Sequence, residues 1–161
     1  KFKNSTKILN FNHKHNNKMT PIELLQSYKG KVFDISPSPF TKWLAPTVID
    51  ASEGRIIFEF TVRPEWLNPM HNIHGGVTAA IIDDVIGTMM FSLGEDSFYT
   101  TINNTIDYFS VAKAGDKITA ETKIIKKGKQ FVHAECEIWN PDHTRMIARG
   151  TSNLFKTSLQ K

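Results

Sequence analysis

The sequence predicts an α+β fold in which an antiparallel sheet of five or six strands wraps one long central helix. Three observations carry this. Residues 74–93 are apolar on nearly every side at helical spacing, strand-like stretches flank them, and short turns separate those stretches. A helix that is apolar all round must be buried, and a sheet wrapped around it supplies the cover. The chain has 161 residues, 40% hydrophobic and 22% charged. That suits one domain that buries roughly two thirds of its unfolded surface.

The first 18 residues hold five lysines and no acid, which leaves 15 basic against 16 acidic residues in the remainder. The net charge of +4 therefore belongs to an N-terminal Lys/Asn-rich extension, 1–18, read as solvated rather than as a nucleic-acid or membrane contact. The domain proper is expected over 19–161. Its first element is a short helix in "TPIELLQSY" (20–28), with Thr20 as N-cap, Pro21 at the first helical position and Glu23 as capping-box partner, ending near Gly30. Pro37, Pro39 and Pro46 then mark a loop whose Phe40, Trp43 and Leu44 fold over apolar surface.

"TVIDA" (47–51) and "RIIFEFTV" (55–62) form a hairpin around Glu53-Gly54, with Ile56, Phe58, Phe60 and Val62 on one face. The long helix follows, carrying Val77, Ile81, Ile82, Val85, Ile86 and Met89. Four further strands are read in "TTINNTIDYFS", "KITAETKIIK", "FVHAECEIW" and "TRMIARGTSNLF", with turns at Ala114-Gly115-Asp116, Lys127-Gly128-Lys129 and Asn140-Pro141-Asp142. The expected order is β-β-α-β-β-β-β, with short turns implying antiparallel neighbours.

The single cysteine, Cys136, excludes an intramolecular disulfide framework and fits a reducing compartment. It shares a strand face with Val132, Ala134 and Ile138, so it reads as core. No apolar signal segment opens the chain, and Asp83, Asp84 and Gly87 interrupt its longest apolar run. A cytoplasmic protein without membrane or nucleic-acid partners is expected. His71 and His74 have the i, i+3 spacing of a metal pair, but no further ligands accompany them, so neither metal nor cofactor is assigned.

The chemistry concentrates in "NPMHNIHGGVTAAIIDD" (68–84). Gly75 and Gly76 at a helix start leave backbone N–H groups unpaired and uncovered, a ready site for a carbonyl oxygen that becomes negative during attack. An aspartate in an apolar helix costs several kcal/mol unless partners or a solvated cavity compensate it. Asp83 and Asp84 both border small residues, Ala80 and Gly87 among them, and spacing alone does not choose between them.

Asn68, the triplet His74-Gly75-Gly76 and Asp83 nine positions after the His together resemble the hotdog-fold acyl-CoA thioesterases of the PaaI-like, acyl-CoA thioesterase 13 type, over about 37–155. The resemblance implies hydrolysis of an acyl-CoA thioester by dimers or dimers of dimers. It makes Asp83 the general base or the nucleophile and Gly75 the oxyanion donor. Asn68 holds the thioester or water, His74 orients the turn and Asn68, and Thr101 helps position the water. It also implies a basic rim for CoA phosphates, for which Lys126, Lys127 and Lys129 are candidates and Arg63 and Arg149 weaker ones. Gly76 and His71 complete the substrate-binding set. His71 departs from the pattern, since relatives carry Gly there, so the turn must tolerate a side chain or reshape.

Helix geometry adds a constraint. Nine residues put Asp83 on the order of 13 Å along the axis from His74, too far for both to reach one thioester group. An obligate homodimer with antiparallel helices is expected, Asn68 and Gly75 coming from one chain and Asp83 from the other. Met89, Met90 and Phe91 would line the acyl pocket, with residues 40–44 as cover. Two other functions share the fold: a non-catalytic acyl-CoA-binding or sensor protein, and a hydroxyacyl-thioester dehydratase, whose His-Phe-Pro-Gly stretch this chain lacks.

Overall fold

A computed structural model describes residues 19–157, so the basic extension lies outside the described residues. Thr20 and Glu23 form the expected reciprocal cap of α1 (Pro21–Ser27). The helix stops sooner than expected, at Ser27, and Gly30 takes a positive φ of 78° two residues after the Tyr28 cap. The proline-bearing segment is not all loop, because Pro39–Leu44 forms α2. Ser38 caps it through the Thr41 N–H and Pro39 occupies the first turn, where its missing N–H costs nothing.

Strands β1 (Thr47–Ser52), β2 (Arg55–Thr61), β3 (Phe98–Tyr108), β4 (Lys117–Lys127), β5 (Phe131–Trp139) and β6 (Met146–Thr157) make one antiparallel sheet, in the spatial order β1-β2-β4-β5-β6-β3. The hairpins β1-β2, β4-β5 and β5-β6 match expectation. The β3-β4 pair does not: β3 lies at the sheet edge beside β6, three strands from β4. The link between them is a crossover over the end of the sheet. Phe109 N–H bonds to the Ile147 carbonyl, Ile73 N–H to that of Ala112, and Gly115 N–H to that of Val62.

The inner face of the sheet, with Phe58, Ile118, Ala120, Cys136, Ile138 and Leu154 buried, holds α3 (Gly75–Ser92). Ile81, Ile82, Val85, Ile86 and Met89 of α3 are fully covered. By length and composition α3 is apolar enough to cross a membrane, and half of it is buried inside the fold. It approaches β6 closely at Gly150, where an added Cβ would stand 2.8 Å from Ile82 Cγ2. The uncovered side of α3 carries Gly76, Asp83, Gly87 and Phe91.

The two sheet edges differ. Along β1, Gly30 N–H bonds to the Val48 carbonyl, Val48 N–H to that of Lys31, and Gln26 Nε2 to that of Ala51. The chain after α1 thus occupies that edge. Among the described residues β3 pairs only with β6, and its eleven residues include no Lys or Pro.

Candidate active site

His74 is the N-cap of α3, and its Nδ1 accepts the Gly76 N–H at 2.9 Å. That bond requires a bare Nδ1, with any single ring proton on Nε2. Val77 and Thr78 N–H groups bond to the His74 carbonyl. Among the described residues no acceptor meets the Gly75 N–H. Of the two glycines singled out, Gly75 keeps a free donor at the positive end of the helix, while the Gly76 N–H is spent on the cap. The Tyr108 ring lies against Gly75, and its hydroxyl donates to the Gly75 carbonyl at 3.2 Å.

Asn68 opens the turn before the helix. Its Oδ1 accepts the Met70 and Asn72 N–H groups at 2.9 and 3.2 Å, and its own N–H bonds to the Asn72 carbonyl. The Leu67-Ile73 bridge closes the turn. The imidazole Nδ1 is engaged with Gly76, and Asn68 is held by its own loop. Its Nδ2 donates to nothing among the described residues, so it is available to a carbonyl or water.

His71 sits in this turn at φ 57°, in the left-handed region. The turn therefore carries a side chain where glycine fits without strain. His71→Gly is expected to raise the unfolding free energy by about 0.5–1 kcal/mol and His71→Val to lower it by about 1–2 kcal/mol, as urea denaturation would measure. A Val variant as stable as wild type would refute this account of the turn.

The two adjacent aspartates point about 100° apart around the helix and meet different partners. Asp83, exposed, accepts at Oδ1 from Thr101 Oγ1 at 3.0 Å and Asn104 Nδ2 at 2.9 Å. No donor among the described residues reaches its Oδ2. Asp84, half-buried, accepts at Oδ1 from Thr41 Oγ1 of α2 at 2.8 Å, and its buried Oδ2 has no partner. Burial raises its pKa to about 6, against the Thr41 hydrogen bond, with the Asp83 charge adding to the rise. Asp84 thus ties α2 to α3, and Asp83 faces open space with one oxygen uncommitted.

Thr101 was singled out from the sequence, but Asn104 was not. Asn is disfavoured in strands, and the Asn103-Asn104 pair was the one hint of an irregularity there. The basic candidates divide. Lys127 pairs with Glu95, which also takes Lys156 at 2.8 Å and the Tyr99 hydroxyl at 2.6 Å. These donors, Lys127 first, hold the Glu95 pKa down to about 2. Lys126 and Lys129 are exposed and form no ion pair among the described residues. Arg149 is held by Glu135, and Arg63 pairs with Glu65 at 3.1 Å and lies against the adjoining rings of Trp43 and Trp66, at 4.7 and 4.4 Å from their centres. Cys136 is fully buried, which pushes its thiol pKa up and leaves it unsuited to nucleophilic attack.

The chain is similar to known proteins in sequence and in fold. The family model described as the thioesterase superfamily matches residues 70–147. Human acyl-coenzyme A thioesterase 13 is 27% identical over 104 residues, 65% of this chain and 74% of that protein. The acyl-coenzyme A thioesterase PaaI of Escherichia coli is 29% identical over 113 residues, 70% of this chain and 79% of that one. The solved structure of E. coli PaaI aligns with a TM-score of 0.70 at 24% identity, covering 76% of this chain and 86% of that one. A Streptococcus pneumoniae thioesterase protein solved with coenzyme A aligns at 0.65 and 23% identity, over 72% and 88% of the two chains. Over residues 70–147 the chain is thus similar in sequence to the thioesterase superfamily, and its sheet and wrapped helix are similar in fold to E. coli PaaI.

Proposed function

We propose that the chain is an acyl-CoA thioesterase, hydrolysing an acyl-CoA thioester to the free acid and CoA. The observation that carries this is the Asp83 carboxylate, held through one oxygen by Thr101 and Asn104 and open at the other. In the proposed reaction Asp83 takes a proton from water as the resulting hydroxide adds to the thioester carbonyl. The carbonyl oxygen becomes negative against the Gly75 N–H at the helix start, with Asn68 Nδ2 as a second donor. The tetrahedral adduct collapses, the C–S bond breaks, and CoA leaves as thiolate. Two relatives named as acyl-CoA thioesterases and one solved with coenzyme A support the substrate class. Lys126 and Lys129 are the proposed phosphate contacts.

The site is proposed to be composite. Along α3 the Gly75 and Asp83 positions are about 12 Å apart, so one thioester cannot touch both within a chain. An eleven-residue edge strand with free backbone groups pairs readily with another strand. Phe98, Ile102, Tyr108, Phe109 and Val111 are exposed along β3 and just beyond it. A second copy placed antiparallel on this edge would bring each helix start toward the partner's Asp83. A cytoplasmic location fits the one reduced, buried cysteine.

The test is thiol release over a panel of short, long and aromatic acyl-CoAs, with sedimentation of the same samples. Activity is expected in species of two chains or more. A fully active monomer would sink the composite site, and no release from any acyl-CoA would sink the hydrolase.

A further inference from the structure

We infer that Asn104 is a positioning residue for Asp83, fixing the carboxylate so that a single oxygen faces the reacting water. The inference rests on Asp83 being the base proposed above. In an unbroken strand residues 101 and 104 fall on opposite faces, because side chains alternate. In β3 they do not. Thr101 stands opposite Leu154 and Asn104 opposite Ser152, both buried on the face under α3. The register shifts between Thr101 and Asn103, leaving Ile102 as an extra residue without a partner on β6. A bulge of this kind re-aims the side chains that follow it.

Neighbouring contacts hold the bulge in register. Asn103 turns to the outer face, where its Oδ1 accepts from Asn153 Nδ2 at 2.9 Å, and Asn153 Oδ1 meets His133 Nδ1 at 2.9 Å. The row runs directly across β3, β6 and β5. Ser152 Oγ adds a bond to the Asn103 carbonyl at 3.3 Å. A slip of one residue would break the row and turn Asn104 away from α3.

The chemistry of the contact sets its direction. An ionised carboxylate only accepts, so Asn104 must present Nδ2 to it. Thr101 and Asn104 converge on the same oxygen. One donor would leave the carboxylate free to swing about its Cβ–Cγ bond, whereas two donors from different strand positions fix its plane. Oδ2 then keeps its lone pairs for water.

The test uses steady-state thiol release with Asn104→Leu, which keeps the approximate size and removes the donor, and Asn104→Gln, which returns one. For Asn104→Leu, kcat is expected to fall about 10–100-fold with KM within about twofold. Asn104→Gln is expected to recover part of that loss, with the unfolding midpoints of both near wild type. Wild-type kcat in Asn104→Leu overturns the inference. So does a joint fall of kcat, KM and unfolding midpoint that Gln does not relieve, since that marks a structural role. Asp83→Asn, assayed in parallel, separates the two levels. If it stays active, Asp83 is not the base and the inference falls with that assignment; if it is inactive while Asn104→Leu is normal, only the role of Asn104 fails.

Discussion

Asp83→Asn is expected to lower thiol release from acyl-CoA about 10²–10⁴-fold, with Asp84→Asn within a few-fold of wild type. The comparison is clean because asparagine keeps the geometry. Its Oδ1 still accepts from Thr101 and Asn104, so the helix face stays as it is while the atom that would take the proton from water becomes an amide. Nothing in the acyl-CoA contacts proposed here involves Oδ2, so KM should move little. Asp84 lies one residue further on, but its carboxylate faces Thr41 of α2, away from the open side of the helix. Equal activity in wild type and Asp83→Asn would remove Asp83 from the reaction.

The second large effect concerns stability. Asp84 has a folded pKa of about 6 against an ordinary value of 3.8. Below pH 4 the group is protonated in both states and contributes nothing to the balance. Between pH 4 and 6 the folded chain keeps a proton that the unfolded chain has lost, so stability declines as pH rises. Above pH 6 the penalty is complete, about 1–3 kcal/mol. Asp84→Asn removes the charge and keeps an acceptor for Thr41, but the amide that replaces Oδ2 still lacks a partner. The diagnostic quantity is therefore a difference between two pH values. Measured by urea unfolding, the variant should gain about 1–3 kcal/mol relative to wild type at pH 8 over its standing at pH 4. The same offset at both values would contradict the pKa and its cause.

Much of the architecture was legible because it rests on local periodicity. The helix that is apolar on nearly all sides demanded a wrapping sheet, and the alternation of Ile56, Phe58 and Phe60 placed β2 before any tertiary contact was known. What escaped depends on register and distance. Pro39 read as a breaker, although beside Ser38 it is a helix-start signal. The turn at residues 114–116 looked like a hairpin but ends a crossover, since nothing local tells whether a strand pairs with its successor. The bulge at Ile102 is set by the partner strand, so Asn104 could not be placed on the face of Thr101 from spacing. Asp83 and Asp84 share the small neighbours Ala80 and Gly87. Only β3 on one side and α2 on the other distinguish them.

The unequal edges of the sheet also bear on how far assembly can go. A sheet with two free margins can add copies at both ends and grow without limit. Here the β1 margin is occupied by the chain's own residues 26–31, while no described residue covers the β3 margin. In the proposed edge-to-edge pairing, growth would therefore terminate after one addition: each copy would consume the one margin left open among the described residues of the other. Any larger particle must use sheet faces or loops, and weakening the contacts of α1 with β1 would turn a self-limiting pair into a chain able to form fibres.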